Sequence, residues 1–546
     1  MEFGWLVLLP PIFVVLWATF TQRLMSALII GIVSAVAIFN KTDFSNILPM
    51  LANRFVMANE LSKLLNPAEL KEAFYPFIIL FLIALSILII LIKHSGAAYA
   101  YASFISNKLK SAKNVEKSSL ILSWFFFIDD YFSCLTVGSV IQPVSAWFKV
   151  PKVKSAILVV CMASPVAVLF PISSWASFVV GQLRQSGISI SASPGALIIA
   201  DSFYVYFKLI PFLLYSLVVV ASVWFLVHKR LSFGILHKHQ KEAEKNGNLF
   251  GGREQGLDKG LELNGADRLG GRLLDFVLPI ATLCFSVLIS ILYLGSFNLF
   301  GGKNELLVAI QQANTGAALF IGSAIALIVS FVYLLIRRRV KLGEVFQICR
   351  EGFDLMGSTI LVLMLIWTFS SMLKNDLKTG EYLASLVVGK FNIQFMPAIF
   401  FVTAACIAML IGSAWGTMSL LLSLAVPMLV SLSGAVAPVD ISQVLILFPL
   451  LGAIIGGSIA GTHLSPLGDN VLMASKSIGA HHADVISAQR SIALPSAIST
   501  FCAFLAAGFL ITSLGLLLTA VICFIIGVSM NVAFLKMLHY RSHRND

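Results

Sequence analysis

Charged residues are scarce in this sequence. Only 12% of its 546 residues are Asp, Glu, Lys or Arg, while 58% are hydrophobic. A water-soluble fold has too little interior to bury so much apolar surface, so the composition excludes a soluble globular protein. We predict an all-α polytopic membrane protein embedded in a lipid bilayer.

Other absences narrow the function. The seven cysteines lie singly in apolar segments, which excludes a disulfide framework or a cysteine zinc site. The sequence contains no HExxH metal motif and no recognisable pairing of a nucleophile with a base, so an enzyme is not predicted. The net charge of +12 reflects Lys and Arg beside the apolar runs rather than a nucleic-acid surface. We predict no cofactor and no nucleic-acid partner.

Long apolar runs dominate the chain. A helix needs about 20 mostly apolar residues to cross a bilayer. We predict about 11 full spans, at residues 4–20, 24–40, 72–93, 155–183, 197–227, 273–296, 307–336, 350–373, 442–476, 488–514 and 515–537.

Two further apolar runs, 118–143 and 393–433, are predicted to be re-entrant hairpins. Lysines flank the first run on both sides, at Lys113 and Lys117 before it and at Lys149 after it. Because positive flanks stay in the cytoplasm, a hairpin that enters and returns explains them better than a single crossing. This layout places the N-terminus outside and the C-terminus in the cytoplasm.

The two halves of the chain show weak internal similarity. The run FIDDYFSCLTVGSVIQP aligns with LIGSAWGTMSLLLSLAVP, so that Tyr131 meets Trp415 and Ser133 meets Thr417. Corresponding segments cross in opposite directions, which is typical of inverted-repeat secondary transporters. We predict a first repeat at 1–227, a charged, Gly-rich cytoplasmic linker without an apolar face at 228–272, a second repeat at 273–514, and an extra span with a tail at 515–546.

Four polar clusters interrupt the apolar runs at predicted membrane depth. Each combines a helix-breaking Gly or Pro, inside or beside it, with hydroxyl, amide or carboxylate groups, and such breaks form the binding sites of transporters. The predicted broken helices are 155–183 and 442–476. The candidate ion- and proton-binding residues are Asp129, Asp130, Asp469 and His463. The candidate coordinating residues are Ser133, Thr136, Ser173, Ser174, Ser413, Thr417, Ser465 and Asn470, and Trp175 and Trp415 are candidate pathway-lining residues.

A carboxylate within the membrane costs about 2.5–3.5 kcal/mol of insertion free energy, so Asp129 and Asp130 are expected to have a function that offsets this cost. Oxygen-rich helix breaks suit Na⁺, and a carboxylate can carry Na⁺ in one state and a proton in another. Adjacent residues point about 100° apart on a helix, so one aspartate of the pair is expected to face a cavity. Alternatively the aspartates cap helix N-termini, His463 is structural, and the two tryptophans only pack.

Five stretches in order, FIDDYFSCLTVGSV, SPVAVLFPISSW, GSAWGT, HLSPLGD and ADVISAQ, carry a resemblance to a known family. Over nearly its whole length the chain resembles the NhaC-type Na⁺/H⁺ antiporter family of the ion transporter superfamily. The resemblance implies exchange of Na⁺ for H⁺ at the cytoplasmic membrane, and relatives suggest a homodimer. Some relatives move organic acids such as malate and lactate, or amino acids, with Na⁺ or H⁺.

The sequence therefore predicts a Na⁺/H⁺ antiporter, with Na⁺ held through Asp129, Asp130 and Asp469. The alternative is a Na⁺- or H⁺-coupled transporter of a small organic acid or amino acid. In that case helix N-termini at the breaks around Ser173 and Ser465 would hold the substrate carboxylate.

Overall fold

The computed structural model describes residues 3–21, 23–40, 47–66, 69, 73–96, 111–190, 195–254, 271–387, 392–434, 436–466 and 468–544. Those residues form a predominantly helical protein. Its first-half helices are α1 (Leu9–Thr21), α2 (Leu24–Phe39), α3 (Ile47–Ala58), α4 (Tyr75–His94), α5 (Ala112–Phe125), α6 (Asp130–Trp147), α7 (Lys152–Leu169), α8 (Ser174–Gln185), α9 (Ser202–Leu209), α10 (Leu214–Lys229) and α11 (Gly234–Asn246).

The second half is also mostly helical. Its helices are α12 (Leu274–Leu294), α13 (Leu306–Gln312), α14 (Thr315–Ile336), α15 (Val345–Ser371), α16 (Thr379–Val387), α17 (Met396–Ile411), α18 (Ala414–Leu432), α19 (Leu447–Leu464), α20 (Asp469–Ile478) and α21 (His482–Arg544). A left-handed backbone at Gly515 divides α21 into the two predicted spans. Within the described ranges, ten helical stretches are long and apolar enough to cross a membrane. The prediction of a polytopic helical membrane protein is confirmed.

Single turns and short strands complete the chain. The 3₁₀ turns are Gly4–Leu8, Leu61–Leu65, Ile210–Phe212, Asn298–Phe300, Leu342–Glu344, Ile393–Phe395 and Ile441–Gln443, and a π turn covers Met372–Asp376. Three two-residue strands, β1 (Ile188–Ser189), β2 (Ile198–Ile199) and β3 (Val439–Asp440), form a small parallel sheet in the order β1-β2-β3. The sheet, absent from the all-α prediction, joins a loop of the first half to one of the second.

The interruptions predicted from sequence are present. One hairpin pairs α5 with α6 and the other pairs α17 with α18, and each turns within a few residues. A break at 170–173 separates α7 from α8, and a second break lies between the end of α19 at Leu464 and the start of α20 at Asp469. Each half of the chain therefore contributes one hairpin turn and one helix break.

Two sequence predictions are corrected. The segment 197–227 is not one helix, because the 3₁₀ turn at Ile210–Phe212 separates α9 from α10; its Pro211 lacks the N–H that a continuous helix requires. The linker does have an apolar face, since α11 buries Leu236 and Ala243 and packs against α21. Linker residues 255–270 lie outside the described residues.

Candidate functional site

The N-terminus of α6 holds the two adjacent aspartates. Both are buried, with 2% of Asp129 and 3% of Asp130 exposed. Asp129 precedes the helix and its carbonyl oxygen accepts the Ser133 N–H at 2.9 Å, while Asp130 is the first helical residue. A carboxylate in the first helical turn is stabilised by the partial positive charge of the helix N-terminus.

The two aspartates have different surroundings. Ser174 Oγ, at the start of α8, donates to Asp129 Oδ2 at 2.8 Å, and the Ser174 N–H donates to the Ile128 carbonyl at 2.9 Å. These bonds tie the first hairpin turn to the first helix break. Asp130 instead points toward the second half of the protein, where it lines a cavity. The expectation that one aspartate of the pair faces a cavity is met by Asp130.

Asp130 is held by donors from two helices. Asn470 Nδ2, on α20, donates to Asp130 Oδ2 at 2.8 Å, and Ser164 Oγ, on α7, donates to the same oxygen at 3.2 Å. Asn470 Nδ2 also contacts Ser164 Oγ. The second oxygen of Asp130, Oδ1, is buried without a well-formed hydrogen bond. The side chain of Trp175 also interacts with Asp130.

Asp469 is held in the reciprocal way. It is the first residue of α20, and its Oδ2 accepts a hydrogen bond from the Tyr131 hydroxyl at 3.0 Å. Thus Tyr131, next to Asp130, binds Asp469, while Asn470, next to Asp469, binds Asp130. The two bonds link the first hairpin turn to the second helix break across the two halves of the chain.

Close packing of α6 on α20 makes this exchange of bonds possible. A side chain at Gly138 would collide with Ser477, and Ser477 Oγ donates to the Cys134 carbonyl at 2.9 Å. The missing side chain lets the two helix axes approach as small residues do in membrane helix pairs. The N-termini of α6 and α20 are thereby brought together.

The second hairpin reaches the same place with neutral groups. Gly412 adopts a left-handed backbone with φ of 77°, and Ser413 caps α18 by accepting the Gly416 N–H at 3.2 Å. Thr417 Oγ1 donates to the Ser413 carbonyl at 2.9 Å. Trp415 stacks on Phe178, with ring centroids 4.6 Å apart, and meets Trp175 edge to face at 6.1 Å.

These elements surround one cavity of about 370 Å³. Its walls come from both hairpin turns, both broken helices and α15. The lining residues are Asp130, Tyr131, Ser164, Trp175, Thr359, Val362, Ile411, Gly412, Ser413, Ala414, Trp415, Thr462, Asp469 and Asn470. No Lys, Arg or His is among these described lining residues, so the only formal charges on the cavity wall are the two carboxylates.

Six of the predicted site residues meet at this cavity: Asp130, Asp469, Asn470, Ser413, Trp175 and Trp415. Others lie around it. Ser173 caps α8 by accepting the Ala176 N–H at 3.0 Å, and its hydroxyl donates to the Ala167 carbonyl at 2.8 Å. His463 is buried away from the lining, with Nδ1 3.1 Å from the Tyr215 hydroxyl. The predicted residues outside the lining are Asp129, His463, Ser133, Thr136, Ser173, Ser174, Thr417 and Ser465.

Four polar lining residues were not singled out from the sequence: Tyr131, Ser164, Thr359 and Thr462. Tyr131 and Ser164 stand inside the motifs that carry the family resemblance, beside Asp130 and Pro165, and proximity to a break would have found them. Thr359 lies within the uninterrupted helix α15, where the sequence offers no signal.

The carboxylates alone do not make a metal site. Within the described part of the chain, no three His, Cys, Asp or Glu side chains gather closely enough to hold a metal ion. A transported cation would therefore draw on hydroxyl, amide and carbonyl oxygens besides Asp130 and Asp469, as suits a hard, weakly held ion.

Comparisons with known proteins agree with this architecture. Residues 166–509 match the Na⁺/H⁺ antiporter family. The chain belongs to that family. An uncharacterized protein of Haemophilus influenzae is 27% identical to this family member over 523 residues, covering 94% of this chain and 93% of its own.

Two solved structures resemble this antiporter-family chain. The YdaH transporter of Alcanivorax borkumensis is 15% identical with a TM-score of 0.50, and the likeness covers 81% of this chain and 87% of that one. MtrF of Neisseria gonorrhoeae is 15% identical with a TM-score of 0.49, covering 89% of this chain and 83% of its own. The likeness to YdaH shows a transporter fold, and family membership makes this chain a secondary transporter of the membrane.

Proposed function

We propose that this transporter exchanges Na⁺ for H⁺ at Asp130 and Asp469. The observation that carries the proposal is the reciprocal pairing of these two carboxylates, each hydrogen-bonded by the neighbour of the other, on the wall of one cavity. Carboxylates with no basic partner on the cavity wall are stable within a membrane when a cation or a proton neutralises them. Asp129 serves as a positioning residue, through Ser174.

Sodium would bind beside Asp130, where oxygens converge from both halves. Oδ1 of Asp130 has no well-formed hydrogen bond, and Ser164, Ser413 and Thr462 bring further oxygens to the cavity wall. In other transporters, backbone carbonyl groups freed by a helix break complete such a site. The break between α19 and α20 would play that part here. Protonation of Asp130 would remove its negative charge and release the ion.

The balance of charge explains why a proton and Na⁺ would compete. The first residues of α6, α18 and α20 and the second residue of α8 line the cavity, and each helix N-terminus carries roughly half a positive charge. The two lining carboxylates and the buried Asp129 beside them carry up to three negative charges, so the empty site favours a cation. A proton on Asp130 reduces this negative charge and weakens the attraction for Na⁺, so the two ions would compete and either one permits the loaded protein to reorient.

The remaining expectations accompany this proposal. The chain would lie in the cytoplasmic membrane as a homodimer, with the N-terminus outside and the C-terminus in the cytoplasm, and would need no cofactor. Coupled transport of an organic acid is supported less well. Its carboxylate would face Asp130 and Asp469, with helix N-termini and neutral donors but no Lys, Arg or His as partners among the described lining residues.

Everted membrane vesicles with an internal pH dye test the proposal. We expect Na⁺ added outside to alkalinise an acidified lumen, and Asp130→Asn to abolish the response. Asp354→Asn is the matched control, because the Asp354 side chain is 68% exposed and its ion pair with Arg350, at 3.9 Å, is on the surface. The exchange would be refuted if Na⁺ caused no change of lumen pH in vesicles that contain the folded wild-type protein.

A further inference from the structure

The cavity is large for a small inorganic ion alone. Its volume of about 370 Å³ equals that of roughly a dozen waters, at about 30 Å³ each, and falls in the range of small-molecule sites. Coordination of Na⁺ needs oxygens in close contact on all sides. The aromatic part of the cavity wall offers only the Tyr131 hydroxyl, which already donates to Asp469, so that part of the cavity has no evident role in holding Na⁺.

That wall is built from three aromatic side chains. Trp175, Trp415 and Tyr131 all line the cavity that contains Asp130 and Asp469. The edge-to-face contact of Trp175 with Trp415, and the stacking of Trp415 on Phe178, fix the indole rings in place. Rigid indole and phenol faces beside carboxylates are the features that recognise alkylammonium groups, through cation–π attraction with desolvation of the methyl groups.

We propose that the cavity also binds a small organic cation of the alkylammonium class, with its charge beside Asp130 and Asp469 and its alkyl groups against Trp175 and Trp415. The assignment rests on the proposed role of the two aspartates as the cation site. An organic anion fits less well, because no Lys, Arg or His stands among the described lining residues. The organic cation and Na⁺ would compete, since both neutralise the same carboxylates.

Tetramethylammonium is the probe for this proposal. It is permanently charged, so unlike a primary amine it cannot carry a proton across the membrane and collapse a pH gradient by itself. Binding is measured by isothermal titration calorimetry on the purified full-length protein in lipid nanodiscs, in buffer free of Na⁺. We expect saturable binding that added Na⁺ displaces and that Asp130→Asn abolishes.

Substitutions at Trp415 separate the aromatic contribution from the charge. Removal of one cation–π partner is expected to weaken tetramethylammonium binding about tenfold. We expect Trp415→Leu to weaken tetramethylammonium at least five times more than it weakens Na⁺, and Trp415→Phe, which keeps a ring, to restore part of the loss. The matched control is Trp147→Leu, because Trp147 is 72% exposed and lies outside the cavity.

Several results would overturn the inference. They are the absence of tetramethylammonium binding to the wild type, equal losses of both cations in Trp415→Leu, and an equal loss in Trp147→Leu. The outcome is distinguishable from failure of the proposed exchange. Vesicles that exchange Na⁺ for H⁺ while the protein ignores tetramethylammonium would refute only this inference. Tetramethylammonium binding with the tryptophan dependence, in a protein without Na⁺-driven exchange, would refute only the exchange.

Discussion

The two hairpins use a similar backbone device with different chemistry. In the first, the turn before α6 presents Asp129 and Asp130. In the second, the turn before α18 presents Ser413 and Ala414 at the aligned positions. Both turns reach the same cavity. The first therefore supplies a charge that a transported cation can neutralise, and the second supplies a capped helix end and an indole ring.

The helix breaks show the reverse distribution. The first break begins α8 with the neutral residues Ser174 and Trp175, whereas the second begins α20 with Asp469 and Asn470. Each half of the chain thus provides one charged and one neutral interruption, and the charged ones meet across the repeat boundary through Tyr131 and Asn470. An ion bound between them would contact both halves, as alternating access requires.

The largest expected effect comes from neutralising the charged hairpin. We expect Asp130→Asn to lower Na⁺-driven exchange at least about a hundredfold, since loss of a buried charge partner costs about 3–5 kcal/mol. Ser413→Ala, at the neutral hairpin, should cost less than about tenfold, because a cap and one neutral oxygen are lost. Initial rates of lumen alkalinisation in everted vesicles, normalised to protein content, measure both. Equal losses would show that the two hairpin turns contribute equally to the site.

Removal of the hydrogen bond from Asn470, at the second helix break, to Asp130, at the first hairpin turn, should have a smaller effect. Hydrogen bonds to charged groups contribute about 1.5–3 kcal/mol. We expect Asn470→Ala to raise the Na⁺ concentration for half-maximal exchange about tenfold, because Asp130 Oδ2 loses its 2.8 Å donor.

The control for that change is Asn246→Ala. Asn246 also donates its amide to a carboxylate, Glu242 Oε2 at 2.7 Å, but on the exposed surface of α11. The same shift in both variants would indicate a general effect of asparagine removal. No shift in Asn470→Ala would show that this contact of α20 does not contribute to the cation site.

The hydrogen bond from Tyr131 to Asp469 should contribute less to Na⁺ binding than the bond from Asn470 to Asp130. The reason is that the Tyr131 hydroxyl and Asp469 are more accessible to water than Asn470 and Asp130 are. We expect Tyr131→Phe to raise the half-maximal Na⁺ concentration about threefold while keeping the ring on the cavity wall. Tyr540→Phe, at a 76% exposed position in the last helix, serves as the control. A larger effect for Tyr131→Phe than for Asn470→Ala would reverse the ranking of the two cross-links.

Much of this arrangement was predictable from local sequence. Carboxylates, Gly and Pro within apolar runs marked both hairpin turns and both helix breaks, because such residues are costly in lipid unless they line a cavity. The choice of Asp130 over Asp129 was beyond the sequence, since it depends on which side of α6 packs against α20. Thr359 was equally hidden, because its helix carries no break and its place in the cavity comes from tertiary packing alone.

Composition misled the prediction in two places. In α11 the apolar residues Leu236 and Ala243 are few among many charges, so the sequence indicates a linker although one face of the helix is buried. Helix α3 has a mixed sequence too short for a span, and it was not predicted as an element at all. Both helices are stabilised by contacts with distant helices, α21 for α11 and α15 for α3, and no local pattern records such contacts.

The smallest expected effect on exchange concerns the turn geometry that only the neutral hairpin needs. Gly412 has a φ of 77°, a left-handed conformation that costs other residues about 1–2 kcal/mol, whereas no positive φ occurs from Phe126 to Asp130 in the first turn. We expect Gly412→Ala to lower the melting temperature of the purified protein by a few degrees while exchange per folded molecule stays within about threefold. The control is Gly343→Ala, because Gly343 has no positive φ and a Cβ there meets open space. Loss of exchange without loss of stability in Gly412→Ala would instead mean that the neutral turn, like the charged one, takes a direct part in holding the cation.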